Sequence, residues 1–444
     1  MRSFAHAAAM VALTALPLTA QSPSREALEA DIDQLVAPLQ ALDVFDGIVV
    51  VAERGRVVAA HAYGMASREF DVANRPTTSF RIASISKPFT RLLVGRLAER
   101  GTVEIDAPIA RWLPDFPSAD RITVRMLLDH RAGVPSRNSI PWDEEAIAPP
   151  TLSDLVDSIA RMPLDFEPGS DVAYTNGGYA VLARVLELAD GRAYADMIDQ
   201  EIVRPLGLQA TRHEADGDVI PGVATGYMPS PQRPGVMVRA PFQSMDTKTG
   251  GGSLVSSAPD LILFLRALRR DPILGVATWD TLFPARERFA YQGRAPGFNV
   301  FAAHDVTLDR TVVVLANNYT AGMVGELGEA VFALAAGSEP APLPVHARTP
   351  IVAAELPLLS GSYVLPEGLF PGDPRLTIDH DGGYLVARIG GAPVDVLLPQ
   401  GGRAYLSRAF WSIITFDGGT GERANALEVR ALYNDSRFEA RRER

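Results

Sequence analysis

Cysteine is absent from all 444 residues of this chain. Disulfide bonds, thiolate metal sites, a cysteine nucleophile and a lipid anchor on cysteine are therefore excluded. The seven histidines form no H-E-x-x-H pair. The run Asp379-His380-Asp381 offers metal-binding atoms, but it lies between two strand patterns, where a hairpin turn is favoured. We therefore expect neither a metal ion nor a cofactor.

Basic tracts are also missing, and 53 acidic residues outnumber 42 lysines and arginines to give a net charge of −11. Nucleic acid is therefore not expected as a partner. Long apolar runs are lacking except at 7–18, a run that follows Arg2 and precedes a small-residue cleavage pattern ending at Ala20. This arrangement is typical of a signal peptide, 1–20, and the run is too short for a comfortable membrane span. The sequence predicts a periplasmic or secreted protein without an integral span after signal removal; retention by an uncleaved segment is the alternative.

The G-x-S-x-G elbow of α/β-hydrolases is missing as well. The chain instead contains Ser84-Ile85-Ser86-Lys87 at the start of a helical pattern. If Ser84 opens that helix, Lys87 lies one turn on and shares its face. An amine is then held near a hydroxyl at the positive end of a helix dipole, which can activate a serine without a histidine.

A second element, Tyr174-Thr175-Asn176, lies between a turn-forming run and an amphipathic helical pattern. Loops in such places can direct side chains into a cleft. A tyrosine beside a lysine ammonium has its phenolate favoured and can serve as a base. The amide of Asn176 can hold the lysine or a substrate carbonyl. Tyr174 and Asn176 each also fit an ordinary loop. The prediction therefore rests on an ordered set of four residues: Ser84, Lys87, Tyr174 and Asn176.

This ordered set resembles the serine hydrolases related to class C β-lactamases, D-alanyl-D-alanine carboxypeptidases and family VIII carboxylesterases. The resemblance covers about residues 45 to 318. It rests further on the segments 47–51, 56–60, 122–133, 205–208 and 251–261. It implies an α+β fold, an antiparallel sheet flanked by helices with a helical subdomain, and the site between the sheet and that subdomain.

The third motif departs from the family, which places Lys-Thr-Gly or His-x-Gly on a strand before a Pro-Gly-Phe-like run. Counting back from Pro296-Gly297-Phe298 gives Tyr291-Gln292-Gly293. A literal Lys248-Thr249-Gly250 precedes further glycines and a helical pattern, so we interpret it as coincidental and favour the first placement. Tyr291 supplies no fixed positive charge for a substrate carboxylate. Neutral esters or amides are then favoured, unless the charge comes from elsewhere, such as Arg294.

The resemblance also implies an oxyanion hole formed by the backbone N–H groups of Ser84 and Arg294. Gly293 would let a substrate backbone approach the strand closely. The candidate catalytic residues are Ser84, Lys87 and Tyr174. The candidate substrate and oxyanion residues are Asn176, Tyr291, Gly293 and Arg294.

The predicted domains are a serine hydrolase domain, 24–337, a proline-containing linker, 338–354, and a C-terminal β domain, 355–444. Short alternating runs separated by turns in the last segment predict a small all-β barrel or sandwich. It resembles the lipocalin-like tail found on some members of the family. Its role is packing and stability, or that of a substrate lid or partner surface.

We predict a serine hydrolase that acts on small-molecule or peptide acyl substrates (esters, amides or peptides) through a covalent acyl-enzyme on Ser84. An esterase or D-amino-acid peptidase is favoured over a β-lactamase or D-alanyl-D-alanine carboxypeptidase, because Tyr291 replaces the charged anchor. A non-catalytic sensor of peptidoglycan fragments is the alternative from a different class, motivated by the altered third motif and the extra domain. The sequence leaves the oligomeric state open.

Overall fold

The computed structural model describes most of the chain after residue 23. The described residues are 24–135, 150–230, 233, 236–268, 274–284, 287–319, 323–343, 349–350, 352–366, 375–381, 383–408, 411–432 and 435–443. The predicted signal peptide, 1–20, and part of the predicted linker, 338–354, lie outside these residues. The domain boundaries therefore stay predictions at those two places.

A five-stranded antiparallel sheet, the central sheet, forms the middle of the predicted hydrolase domain. In spatial order its strands are Arg288–Ala295, Phe298–Asp305, Arg310–Ala316, Gly47–Glu53 and Arg56–Tyr63. Val49 lies opposite Val314 where the two inner neighbours Gly47–Glu53 and Arg310–Ala316 pair. These two strands are buried along nearly their whole length because helices cover both faces of the sheet.

Helices from both ends of the domain cover one face of the central sheet. They are the first helix, Arg25–Ala41, and the last, Val324–Ala335, which pack with the sheet in one apolar cluster. Ser24 begins the first helix, since its Oγ accepts the N–H of Ala27 at 3.2 Å. Ser86–Glu99 and Ala258–Ala267 pack on the opposite face. The predicted α+β layering is confirmed.

The chain between strands Arg56–Tyr63 and Arg288–Ala295 builds the mostly helical region. Its further helical segments are Ala83–Ile85, Ile109–Arg111, Val124–Leu128, Leu152–Ala160, Asn176–Asp190, Tyr194–Ile198, Asp199–Val203, Arg204–Leu206, Asp246–Lys248 and Val276–Leu282. Its short strands are Met65–Ser67, Val72–Ala73, Ser79–Arg81, Arg212–His213, Tyr227–Pro229, Met237–Arg239 and Leu254–Ser257. Strand Leu254–Ser257 pairs with Ser79–Arg81 and so holds the chain just before Ser84.

The C-terminal domain is a closed barrel of eight antiparallel strands, which decides between the predicted barrel and sandwich. Its strands are Gly361–Val364, Arg375–Asp381, Tyr384–Ile389, Ala392–Gly401, Ala404–Ser407, Ser412–Phe416, Ala426–Ala431 and Arg437–Arg442, and the short helix Leu356–Leu359 precedes them. Large side chains such as Tyr363 and Phe416 fill the barrel interior.

The barrel docks onto the same apolar cluster that covers the central sheet. Leu398, Leu406 and Trp411 of the barrel are buried together with Met323 and Leu327 of the hydrolase domain. These side chains therefore exclude water from the contact between barrel and hydrolase domain, as apolar side chains do in a domain core. Among the described helices, none is both long and apolar enough to cross a membrane.

Candidate active site

Ser84 lies in a tight helical turn, Ala83–Ile85, that leads directly into the helix Ser86–Glu99. The preceding residue, Ala83, has φ of +46°, a left-handed conformation that is uncommon outside glycine. Such local strain is a recurrent feature of functional turns, because it fixes the direction of one side chain. The turn presents Ser84 at the N-terminal end of the helix, as the sequence predicts.

Lys87 lies on the same face as Ser84, and its Nζ donates to Ser84 Oγ at 3.2 Å. The ammonium also donates to Asn176 Oδ1 at 2.7 Å and to the carbonyl oxygen of Gly251 at 2.9 Å. Three acceptors match the three donors of a lysine ammonium. Only 6% of Lys87 is exposed, so these contacts fix the amine beside the serine.

Burial lowers the pKa of Lys87 to about 7, and the positive charge of Lys248 lowers it further in the same direction. Burial likewise lowers the pKa of Lys248 to about 8. Lys87 and Lys248 are the only lysines in the sequence, in which every other basic side chain except histidine is arginine. A large fraction of Lys87 is therefore a neutral amine at neutral pH, able to accept a proton from Ser84.

Tyr174 reaches the serine from a loop that ends at the helix Asn176–Asp190. Its hydroxyl lies 2.7 Å from Ser84 Oγ and 3.4 Å from Asn176 Oδ1. Thr175 caps the helix, with its Oγ1 accepting the N–H of Gly178 at 3.3 Å. Thr175 thus separates Tyr174, in the loop, from Asn176, the first residue of the helix. The side chains of both residues enter the site.

Burial of the hydroxyl end raises the pKa of Tyr174, although 57% of the residue is exposed, and the hydrogen bond with Ser84 opposes the rise only in part. The expectation of a favoured phenolate is therefore wrong. The reason is that burial of Tyr174 disfavours the charged phenolate, and the hydrogen bond with Ser84 does not offset this. Tyr174 is a neutral phenol at neutral pH, and Lys87 is the better base.

His130 supports the Tyr174 loop, a role that the sequence did not indicate. Its Nδ1 accepts the backbone N–H of Thr175 at 3.2 Å, and its ring lies 4.7 Å from the ring of Tyr174. Burial lowers the pKa of His130 to about 4, helped by the positive charges of Lys87 and Arg91. A neutral imidazole can accept the Thr175 hydrogen bond across physiological pH.

The strand Arg288–Ala295 passes directly beside the serine turn at Gly293. A Cβ on Gly293 would lie 2.5 Å from the carbonyl oxygen of Ile82 and 2.9 Å from the nitrogen of Ser84. Glycine at this position lets the strand edge approach the turn closely, as a two-sided oxyanion hole requires. Tyr291, Gly293 and Arg294 line the same cavity as Ser84.

Lys248-Thr249-Gly250 is not part of a strand, since Asp246–Lys248 is a short helical turn. The run is therefore not the strand motif, although it borders the site. The carbonyl oxygen of Gly250 accepts the hydroxyl of Thr90, and that of Gly251 accepts Lys87 Nζ. Successive glycines allow the backbone to come this close to Thr90 and Lys87. The separation of these residues along the chain gave no indication of the contact.

These groups open into a cavity of about 940 Å³. It is lined by Ser84, Lys87, Pro88, Arg91, Leu128, Asp129, His130, Tyr174, Asn176, Tyr179, Thr281, Leu282, Phe283, Pro284, Phe289, Ala290, Tyr291, Gln292, Gly293, Arg294, Asn299, Val324 and Trp411. A smaller cavity of about 180 Å³ adjoins Ser84 on the side of Lys248 and Arg294. The larger volume suits a small-molecule or short peptide substrate.

A layered α+β domain with a Ser–Lys pair and a tyrosine at its cleft defines a serine hydrolase of the β-lactamase fold. The family model described as Beta-lactamase matches residues 32–331, and the chain belongs to that family.

Two curated proteins and one solved structure illustrate the similarity. Penicillin-binding protein 4* of Bacillus subtilis (strain 168) is 31% identical over 253 residues, covering 54% of this chain and 55% of that protein. Esterase EstB of Burkholderia gladioli is 30% identical over 299 residues, covering 57% and 75%. The chain thus spans about half the length of the first relative and three quarters of the second. The octameric penicillin-binding protein homologue from Pyrococcus abyssi has a TM-score of 0.61 at 20% identity, covering 92% of this chain and 99% of that one.

Proposed function

We propose that this protein is an exported serine hydrolase that cleaves ester or D-amino-acid acyl substrates through a covalent acyl-enzyme on Ser84. One observation carries the proposal: Ser84 Oγ lies 2.7 Å from the hydroxyl of Tyr174 and 3.2 Å from Nζ of Lys87, within a single cavity. A nucleophile within hydrogen-bond reach of a base is the arrangement that covalent catalysis needs.

Acylation begins when the neutral amine of Lys87 accepts the proton of Ser84 as Oγ forms a bond to the substrate carbonyl carbon. The negative charge that develops on the carbonyl oxygen is met by the backbone N–H groups of Ser84 and Arg294. Collapse of this intermediate breaks the bond to the leaving group. The proton passes from Lys87 to the leaving oxygen or nitrogen, with the Tyr174 hydroxyl orienting that group.

Deacylation reverses these roles with water as the nucleophile. Lys87 accepts a proton from the water as the water oxygen bonds to the acyl carbon, and Ser84 Oγ leaves with that proton. Tyr174 orients the water as a hydrogen-bond partner, since its pKa is raised and it is not charged at neutral pH. Asn176 holds the Lys87 amine in place through its Oδ1.

The similarity to esterase EstB supports esters as substrates. A second class, peptide-like substrates with a free carboxylate, is favoured by a separate observation. Arg294 borders both cavities beside Ser84, and its guanidinium can pair with a carboxylate in the way that Tyr291 cannot. The similarity to a penicillin-binding protein supports this second class.

Labelling with a fluorophosphonate tests the proposal directly. We expect one adduct on Ser84 by mass spectrometry in the wild-type protein and none in Ser84→Ala. Equal labelling of the two proteins, or no labelling of a folded wild-type protein, would refute the acyl-enzyme.

Turnover of three substrates then separates the classes: p-nitrophenyl butyrate, a D-alanyl-D-alanine peptide and nitrocefin. Faster turnover of the ester or the peptide than of nitrocefin at matched concentration is expected. Preference for nitrocefin would make the protein a β-lactamase instead.

Export is part of the proposal and rests on the segment 1–20. Expression of the full chain in a Gram-negative host, followed by osmotic release and N-terminal sequencing, tests it. We expect a periplasmic protein that begins at Gln21. A cytoplasmic protein that keeps its first twenty residues would contradict export.

A further inference from the structure

The two lysines of this chain meet at one site. Lys87 Nζ donates to the carbonyl oxygen of Gly251, and the N–H groups of Gly251 and Gly252 donate to the carbonyl oxygen of Lys248 at 3.0 and 2.8 Å. The backbone of Lys248 is therefore connected to the Lys87 amine through the single residue Gly251.

The side chain of Lys248 is in an unusual position for a cation. Its Nζ is inaccessible to solvent and makes no hydrogen bond within the described part of the chain. A buried ammonium without an acceptor is costly, so the position has to be explained by something other than stability.

The groups that contact the Lys87 amine are hydroxyl, amide and carbonyl oxygens and two aromatic rings, none of which carries a negative charge. Lys87 faces Tyr174 and Tyr179 with its Nζ 4.7 and 5.3 Å from their ring centroids. Among the described residues, no carboxylate pairs with either amine.

Two acids, one in the larger cavity and one close to Lys248 in the chain, have other partners. Asp129, which lines the larger cavity, pairs with Arg91 at 2.8 Å. Asp246, on the same helical turn as Lys248, faces His213 at 3.6 Å. The Arg294 guanidinium, across the small cavity, lies 4.3 Å from the ring of Tyr319. The charged groups that act on the Lys87 amine are therefore mainly cationic.

We propose that Lys248 is a positioning residue of the catalytic centre, whose uncompensated charge keeps the Lys87 amine in its neutral, proton-accepting form. Lys248 borders the small cavity beside Ser84, but its Nζ is buried, so the ammonium is not presented to that cavity. It acts because a second positive charge nearby makes protonation of Lys87 unfavourable. This effect agrees with the lowered pKa of Lys87, for which burial is the larger cause and the charge of Lys248 the second. This inference deepens the proposed function, in which neutral Lys87 is the base.

The presence of only two lysines makes the test direct. Trace labelling with acetic anhydride across pH 5 to 11, followed by peptide mass spectrometry, measures the titration of the Lys87 amine, which lines the larger cavity, in the full chain. The variant Lys248→Met removes the charge and keeps an apolar stem of similar length. Lys248→Arg is the matched control that keeps the charge, and Lys248→Gln is the second variant if methionine impairs folding.

We expect Lys87 to titrate at higher pH in Lys248→Met than in the wild-type protein, and to return towards the wild-type value in Lys248→Arg. In the rate profile, kcat/KM of Lys248→Met should fall severalfold at pH 6 and differ by less than about twofold at pH 10, where Lys87 is neutral in both proteins. An unchanged titration of Lys87 in Lys248→Met would overturn the inference.

The amine titration does not depend on turnover, so the two proposals can fail separately. A wild-type protein that is not labelled by fluorophosphonate but shows the shift of Lys87 would refute the proposed function and support the coupling. A fluorophosphonate-reactive protein without the shift would do the opposite.

Discussion

Replacing Gly293 with alanine tests whether the close approach of the strand Arg288–Ala295 to the serine turn is needed for catalysis. The added Cβ would lie 2.5 Å from the carbonyl oxygen of Ile82 and 2.9 Å from the nitrogen of Ser84, whereas ordinary contact begins near 3.4 Å. Both neighbours are backbone atoms and cannot rotate away. The strand and the turn must therefore separate by roughly 0.5–1 Å, judged from that shortfall in van der Waals contact.

A displacement of about 1 Å at reacting groups can cost about 100-fold in rate, which corresponds to about 2.7 kcal/mol in the activation barrier. We expect kcat of Gly293→Ala towards p-nitrophenyl butyrate to fall by that order, and the melting temperature to fall by roughly a few degrees because of the same strain. Stopped assays under substrate saturation measure kcat, and circular dichroism confirms the fold.

Gly252→Ala provides the matched control, because a Cβ there would lie 3.7 Å from its nearest neighbour, the Cβ of Lys248. Its activity should stay within a few-fold of the wild type. A folded Gly293→Ala protein with a kcat within threefold of the wild type would refute the placement of this strand at the oxyanion hole. So would an equal loss in both variants.

Three further predictions follow from the site and the fold. Because burial lowers the pKa of Lys87 to about 7, kcat/KM should rise about tenfold between pH 6 and pH 8 and then level off, and a rise centred near pH 10 would contradict the neutral amine. Tyr174→Phe removes the hydroxyl that contacts Ser84; loss of that orienting hydrogen bond, worth about 1 kcal/mol, should lower kcat by roughly 5-fold without moving that acid limb, since Lys87 is the titrating group. Asp260→Ala removes a buried carboxylate that accepts the backbone N–H groups of residues 209–211. Urea denaturation should therefore show a loss of about 3 kcal/mol in the free energy of unfolding. A loss below about 1 kcal/mol would contradict this account.

Local patterns predicted the parts of the fold that depend on short chain distances. The helix after Ser84 places Lys87 on the same face because three residues make almost one turn. Ser24 and Thr175 begin helices because their hydroxyl oxygens accept backbone N–H groups that would otherwise lack partners. Alternating runs in the last ninety residues predicted strands. Closure into a barrel then pairs the backbone N–H and C=O groups of the edge strands.

Residues that enter the site through tertiary packing could not be predicted in the same way. His130 supports Tyr174 across 44 residues of chain, and no repeat or motif connects them. The protonation state of Tyr174 depends on burial, which its own neighbours in sequence do not determine. Lys248 did carry a signal, because a chain with two lysines among its many basic residues uses lysine selectively.

The contribution of the barrel to the cavity leads to a last prediction, about substrate size. Trp411, 1% exposed, is the barrel residue that lines the 940 Å³ cavity together with Ser84 and Val324. Its backbone φ of +45° is rare for a large side chain, and its carbonyl oxygen accepts the N–H of Leu432 at 3.0 Å. The barrel thus places Trp411, almost wholly buried, at the boundary of the substrate cavity, where its bulk limits the room for an apolar substituent.

Trp411→Leu opens that wall, so esters with long acyl chains should gain relative to short ones. A pocket change equivalent to one or two methylene groups alters selectivity by about 10-fold or more. The ratio of kcat/KM for p-nitrophenyl decanoate to that for the butyrate should therefore rise by about that factor. Leu406→Ala weakens the same docking cluster without touching the cavity, and it should lower the melting temperature while leaving the ratio unchanged. If both variants change the ratio equally, loosened docking rather than the indole controls access, because only Trp411 forms part of the wall.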